Sequence, residues 1–243
     1  MSPLNEGSNN RVLICRYLLP AGRNLLVEAS FEIREGGLDA TAQRLRDLAP
    51  GCAAIVADPT VAVGPDLLDA AGPGLRVVAN FAVGYDNVDT DACRKRGVVV
   101  TNTPGVLTNA TAELALGLTV AAARRAREAE DTLREGRWTG WDPGAMLGLE
   151  LSGATFGVVG LGRIGRRYAE LVRPLAGELL YATRSGKPEA ETELGARRVE
   201  LGDLLRRADV VSLHAPGGDA TRHLIGSAEL ARMKQHAILV NTA

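Results

Sequence analysis

Cysteine is nearly missing from this chain: Cys15, Cys52 and Cys93 are the only three in 243 residues, odd in number and far apart. Without a C-x-x-C pair they suggest neither a disulfide framework nor a zinc site, and they read as small buried apolar residues. A net charge is missing as well. With 28 basic against 29 acidic residues the formal charge is −1, which leaves no electrostatic footprint for nucleic acid or an anionic membrane. Of the 28 basic residues only three are lysine, a bias that fits a GC-rich genome better than a chemical demand. No run approaches the ~18 uninterrupted apolar residues of a membrane span. The N-terminal MSPLNEGSNN is polar and lacks the apolar centre of a signal peptide. These absences predict a soluble, cytoplasmic protein that works on a small molecule, with no metal site.

What is present begins with TFGVVGLGRIG, Thr155 to Gly165. An apolar strand-like segment runs into glycines spaced G-x-G-x-x-G, and RRYAELVRPLA follows with helical spacing through Tyr168, Leu171 and Leu175. Gly160 is suited to a positive φ in the turn, Gly162 to close approach of a pyrophosphate, and Gly165 to tight helix-strand packing. The free N–H groups of the first helical turn face the phosphates in such a unit. The glycine motif alone is weak. The strand before it, the helix after it and a second strand at LLYAT, Leu179 to Thr183, make a dinucleotide-binding βαβ unit the better reading.

Around this unit the chain alternates strand-like and helix-like segments: VLICR, PAGRNLLVEA, FEIRE, LDATAQRLRDLA, AAIVAD, PDLLDAAG, LRVVANF, NVDTDACRKRG and VVVTN, then, after the glycines, LLYAT, ARRVELGDLLRRA, DVVSLHAP, SAELARMKQ and a last strand from Ala237. That alternation predicts an α/β protein with parallel sheets. The length suits two domains, expected over residues 1–102 and 103–243.

In ANFAVGYDNVD a strand ends at Val83 and Gly84 before a helix that Asp86 or Asn87 is placed to cap. Two readings stand: backbone amides that hold an anion, or a plain strand-to-helix turn. Asp58 to Thr60 form a similar turn. A long helical pattern begins near Thr108, with Thr108 or Asn109 as cap; its stretch Ala112 to Ala123 is apolar almost all round and asks for burial against something wide. Trp138 and Trp141 read as packing anchors for a loop. His214 ends a strand and reads as structural; His223 and His236 show no partner pattern.

Together NFAVGYDNVD, GVVVTNTPGVLTNATAELA, WTGWDP, GLELSGATFGVVGLGRIG, LLYATRSGKPEAE and HAILVNTA resemble the D-isomer-specific 2-hydroxyacid dehydrogenases, most of all their glyoxylate and hydroxypyruvate reductases. The resemblance implies a flavodoxin-like substrate domain and a Rossmann domain flanking a cleft, where hydride passes between a nicotinamide and the 2-carbon of a small 2-oxo or 2-hydroxy acid. It implies that the amides of Val83 and Gly84 hold the substrate carboxylate and that Leu161, Gly162, Arg163 and Ile164 lie on the pyrophosphate, within a cofactor-binding turn that Gly160 and Gly165 complete. Thr108, Thr242 and Ala243 fall near the nicotinamide, and Ala215 and Pro216 line the nucleotide cleft beside His214. A homodimer is implied too.

The coenzyme can be argued from residues. An NAD site usually carries a carboxylate at the end of the second strand, for the ribose 2′-hydroxyl. Here that place reads Thr183, Arg184, Ser185, with no carboxylate before Glu189. The arginine fork and serine hydroxyl suit a 2′-phosphate, so NADP is preferred and NAD remains possible. One or two charge-assisted hydrogen bonds at about 1.5–3 kcal/mol each amount to roughly tenfold to a few hundredfold.

In the family's pattern an Arg follows directly after the segment matching Asn241, Thr242 and Ala243, and a Glu and a His lie further on. No catalytic residue is therefore assigned within this chain; its Rossmann domain is expected to be incomplete, the chain aggregation-prone, and its reductase activity no more than trace. A dinucleotide-binding regulatory protein and a non-functional fragment are the alternatives.

Overall fold

The computed structural model describes residues 10–243. The chain divides into two compact units, the first ending at Pro104 and the second beginning at Gly105. In the first, β1 (Arg11–Ile14), α1 (Pro20–Glu28), β2 (Glu32–Glu35), α2 (Ala42–Leu48), β3 (Ala54–Ala57), α3 (Pro65–Ala71), β4 (Val77–Asn80), α4 (Thr90–Lys95) and β5 (Val99–Thr101) alternate. The second comprises α5 (Thr108–Ala123), α6 (Ala126–Arg134), β6 (Ala154–Val159), α7 (Arg163–Val172), β7 (Ala176–Ala182), α8 (Pro188–Leu194), β8 (Arg197–Arg198), α9 (Leu201–Arg207), β9 (Val210–Leu213), α10 (Ser227–Leu230) and β10 (Ile238–Asn241).

Each unit builds one five-stranded sheet, in the orders β2-β1-β3-β4-β5 and β10-β9-β6-β7-β8. All pairings are parallel. The reason is local. Short β-branched runs such as VVAN and ATFGVV are too apolar to leave either face in water, and the intervening helices supply the cover. Helix starts carry their signals: Pro opens α1, α3 and α8, and Thr41 accepts from the Arg44 amide at 3.2 Å to cap α2. In the second unit Phe156 and Val158 pack with Tyr168, Ala169 and Val172 of α7 and with Ala112 and Ala115 of α5. Val159 belongs instead to a cluster with Leu204 and Leu205 of α9. Helices thus cover both faces, the arrangement of a doubly wound fold.

The strand order reverses at β6. The chain leaves β6 for β7 and β8 on one side, and returns to β9 and β10 on the other. The carboxyl ends of β6 and β9 therefore bound the crevice where ligands of such sheets bind.

The three cysteines are free and buried. Burial, with help from Asp58 and Cys52, pushes the Cys15 thiol up to about 12, so it stays protonated.

Several local expectations are corrected. The helix after Gly84 starts at Thr90, and Asp89 caps it by accepting from the Ala92 amide at 2.8 Å. Asp86 and Asn87 lie outside it because residues 87–89 pair with Val63, through Val63 N–H to Asn87 O and Asp89 N–H to Val63 O, both 2.8 Å. The long pattern from Thr108 is two helices, not one. Arg125 has φ +51, because the Ala123 carbonyl turns to the Leu149 amide at 2.9 Å instead of continuing the ladder. Neither Thr108 nor Asn109 caps α5. Leu107 is the cap residue, with no side-chain bond, and Asn109 Oδ1 accepts from Arg167 at 3.0 Å. Only the small-residue stripe Ala112, Ala115, Thr119 and Ala123 of α5 is buried, and Leu114, Leu118 and Val120 are exposed. Trp138 and Trp141 are no packing anchors, being 64% and 87% exposed. His236 does have a partner: Asp209 Oδ1, at 3.0 Å.

Candidate functional site

In the first unit the loop after β4 is tied down from one side. The Ala82 carbonyl accepts from the Thr103 amide at 2.8 Å, and the Val83 carbonyl from Asn102 Nδ2 at 2.7 Å. Every peptide bond among the described residues is trans, so each N–H points opposite to the carbonyl of the same peptide unit. Fixing those two carbonyls therefore turns the N–H groups of Val83 and Gly84 together toward the other side. Neither has an acceptor among the described residues. The loop is braced further by a reciprocal amide pair, Asn80 and Asn87, bonded both ways at 3.1 Å. Asn80 also donates to the Gly84 carbonyl at 2.8 Å, while Asn87 donates to the carbonyls of Asp58 and Val61. Two adjacent outward N–H groups on a braced loop form a concave donor pair suited to a carboxylate. Asn102→Ala should free the Val83 peptide and cost about 1 kcal/mol of stability, read as a lower urea midpoint.

In the second unit the glycine turn joins β6 to α7 at the point where the strand order reverses. Gly160 has φ +90, and a Cβ on it would lie 2.7 Å from the backbone of His214 and Ala215. A Cβ on Gly165 would lie 2.0 Å from the Gly160 carbonyl oxygen. Gly162, the cap of α7, has nothing within 4 Å of the corresponding position and no side-chain cap bond. No acceptor among the described residues takes the N–H groups of Leu161, Gly162 or Arg163. The turn is thus packed from behind and bare in front, and the helix's positive end adds to the attraction for an anion.

His214 closes this turn from the β9 side. Its backbone N–H donates to the Val159 carbonyl at 2.7 Å, its ring lies 5.1 Å from that of Tyr168, and its Nε2 is 2.9 Å from Ser212 Oγ. Tyr168 in turn meets Thr119 Oγ1 at 2.9 Å. Burial lowers the imidazole to about 4, so it is neutral at ordinary pH. The polar chain of buried Thr119, Tyr168 and Ser212 with half-buried His214 was not legible in the sequence, because Thr119, Tyr168 and the β9 residues lie far apart along the chain and meet only through packing.

The other candidates sort by strand. Thr183, Arg184 and Ser185 follow β7; Ala215 and Pro216 follow β9; Thr242 and Ala243 follow β10. All leave the carboxyl edge of the same sheet. Thr108 is the first residue of α5. Val83 and Gly84 belong to the other unit. The described residues contain no group of three or more His, Cys, Asp or Glu that could hold a metal ion.

The family profile of the D-isomer specific 2-hydroxyacid dehydrogenase, NAD binding domain, matches residues 116–243, more than half of the chain. This chain belongs to the D-isomer-specific 2-hydroxyacid dehydrogenase family. The glyoxylate reductase of Aeropyrum pernix is 53% identical to this family member over 181 residues, 73% of this chain and 54% of its own length. That of Thermococcus kodakarensis is 42% identical over 242 residues, covering 96% of this chain and 71% of the relative. Among solved structures, the TT0316 protein of Thermus thermophilus superposes with a TM-score of 0.88 at 38% identity, over 96% of this chain and 73% of that one. The matched stretch spans 54–59% of the length of three glyoxylate reductase relatives.

The residues of this dehydrogenase-family chain fit a dinucleotide. Gly160 and Gly165 are closed in by backbone, Gly162 is open, and the N–H groups of Leu161, Gly162 and Arg163 have no acceptor among the described residues. Thr242 Oγ1 is buried without a hydrogen-bond partner among the described residues, at a place a bound group can satisfy.

Proposed function

We propose that this protein carries the substrate- and coenzyme-binding elements of an NADPH-dependent reductase of a small 2-oxo acid, glyoxylate or hydroxypyruvate, acting in the cytoplasm as a homodimer. The observation that carries the proposal is that each unit holds a loop whose adjacent backbone N–H groups have no acceptor among the described residues: one tied through the carbonyls of Ala82 and Val83, the other a glycine turn backed by His214 and Ala215. One pair suits a carboxylate, at Val83 and Gly84; the other set suits a diphosphate, at Leu161 to Ile164. In this reading Thr108, Thr242 and Ala243 border the nicotinamide, Ala215 and Pro216 line the nucleotide, and Arg184 and Ser185 take the 2′-phosphate.

The bound coenzyme supplies the hydride. The chain's own share is to hold the oxyacid by its carboxylate and so fix the 2-carbon against rotation. The alkoxide left by hydride arrival needs a positioned acid. His214 does not serve: it is half-buried, neutral, and engaged by Ser212. His236 is held by Asp209. The described residues are therefore assigned binding and orientation, with no proton transfer. The name glyoxylate reductase carried by several relatives supports the substrate class. The exposed Leu114, Leu118 and Val120 on α5 support a second copy as neighbour, and three buried thiols suit a reducing compartment.

Titration of the purified chain with NADPH and NADH, followed by coenzyme fluorescence, tests the proposal. NADPH should bind at least about tenfold more tightly, as charge-assisted bonds to the 2′-phosphate dictate. Failure of both to bind removes the reading. Light scattering on the same sample should give twice the chain mass if the dimer is correct.

A further inference from the structure

The turn after β7 repeats, in the coenzyme unit, the geometry of the carboxylate loop. Arg198, the second residue of β8, donates from Nε and Nη2 to the Thr183 carbonyl at 3.3 and 3.0 Å. The same Nη2 donates to the Arg184 carbonyl at 2.9 Å. Two consecutive peptide units are thus held by one guanidinium. Because both are trans, the N–H groups of Arg184 and Ser185 face away from Arg198, and neither has an acceptor among the described residues. Thr183 Oγ1 donates to the Ser185 carbonyl at 2.6 Å, and the Lys187 amide to Tyr181 Oη at 2.8 Å, which closes the turn.

The neighbouring carboxylates are engaged elsewhere. Glu191 accepts from Tyr181, and Glu189 and Glu193 face Arg166 at 3.3 and 2.6 Å. Arg184, Lys187 and Arg198 make no ion pair among the described residues. A turn with two N–H groups that lack an acceptor, beside the unpaired cations Arg184 and Lys187, is suited to a doubly charged oxyanion.

We propose that Arg198 is a positioning residue for coenzyme selection: by holding the carbonyls of Thr183 and Arg184 it aims the N–H groups of Arg184 and Ser185 at the 2′-phosphate. This rests on the NADPH reading above. Arg198 is itself exposed, so its charge acts through screening water and counts for little at the phosphate. Its effect is orientation, which requires a planar fork able to meet two carbonyls at once; lysine, a point donor, cannot do the same. A neutral 2′-hydroxyl forms no charge-assisted bond with those N–H groups, so NADH gains little from the same brace.

The experiment measures binding of NADPH, NADH and adenosine 2′-monophosphate to the wild-type chain, Arg198→Ala and Arg198→Lys, with thermal melts of all three. Arg198→Ala should weaken NADPH and adenosine 2′-monophosphate by roughly tenfold, the worth of one charge-assisted bond, and NADH by less than about twofold. The melting temperature should hold, and Arg198→Lys should recover only part of the loss. An equal loss for both coenzymes makes Arg198 a general brace and overturns the proposal. So does no loss, or full recovery with lysine, which would mean that charge alone suffices. A wild-type chain that binds NADH as tightly as NADPH overturns the coenzyme reading itself, and it does so before any variant is made.

Discussion

Gly165→Ala is expected to lower stability by about 2–4 kcal/mol and to abolish coenzyme binding, the cost of forcing atoms into filled space. The added Cβ would lie 2.0 Å from the Gly160 carbonyl oxygen and 3.2 Å from the His214 Cβ. Neither neighbour can give way. Gly160 already sits at φ +90, with the backbone of His214 and Ala215 against it on the side where its own Cβ would be. Gly162→Ala is the informative companion. Its Cβ meets nothing within 4 Å, and Gly162 has φ −78, which alanine adopts freely. The fold should therefore hold, with a loss of about 0.5–1.5 kcal/mol because alanine is a poorer helix cap than glycine. The methyl would nonetheless occupy the bare side of the turn, and NADPH affinity should fall by roughly tenfold or more, about the worth of one lost charge-assisted bond. Thermal melts and fluorescence titration of the two variants separate packing from binding. A Gly162→Ala protein that binds NADPH like wild type would falsify the placement of the diphosphate there.

Stability should fall between pH 6.5 and 4 chiefly through His214. Burial holds the folded imidazole at about 4, below the 6.5 of a free histidine. A depressed value means that the unfolded chain takes up a proton that the folded chain refuses. The contribution is complete above pH 6.5 and is lost as pH falls toward 4, to a total of about 3 kcal/mol. Asp209 follows in a separate window. Burial alone would raise its carboxyl, but the Lys234 ammonium at 2.8 Å, the Thr155 amide and the His236 ring outweigh burial and hold it at about 2. Its contribution is complete above pH 3.8 and is lost only as pH falls toward 2. Urea midpoints across pH 3–8 should show the first decline, and His214→Gln should flatten it. An unchanged slope in that variant would mean that His214 is charged or exposed in the folded state. Because His214 packs against the glycine turn, NADPH affinity should weaken over the same range.

Much of the architecture was legible from periodicity. Strands such as VVAN and ATFGVV are short, apolar and bounded by turn residues, and helices such as PDLLDAA begin with Pro after Gly, so the alternation and hence parallel sheets followed without long-range information. The boundaries that failed did so where a distant segment took over a local group. Asn87, a sound cap by its type, is spent on Asn80 and on the carbonyls of Asp58 and Val61. The helix beginning at Thr108 breaks at Arg125 because residue 149 takes the Ala123 carbonyl. Trp138 and Trp141 have the composition of anchors and nothing to anchor to, since size alone does not supply a pocket.

The glycine spacing, taken with the apolar strand before it and the helical pattern after it, determined a strand-turn-helix unit; the structure sets that unit at the centre of the second sheet, where residue 160 takes φ +90 and residue 165 has no room for a Cβ. Arg184 and Ser185 were likewise visible as the residues standing where a carboxylate is usual. What only the tertiary structure decided is which way the backbone donors face. That direction is set by carbonyls held from residues far along the chain: Val83 by Asn102, Thr183 and Arg184 by Arg198. The physical reason is that a peptide unit is rigid and two-faced, so fixing its oxygen from one side aims its hydrogen at the other, and no local pattern of residue types records where the partner of that oxygen lies.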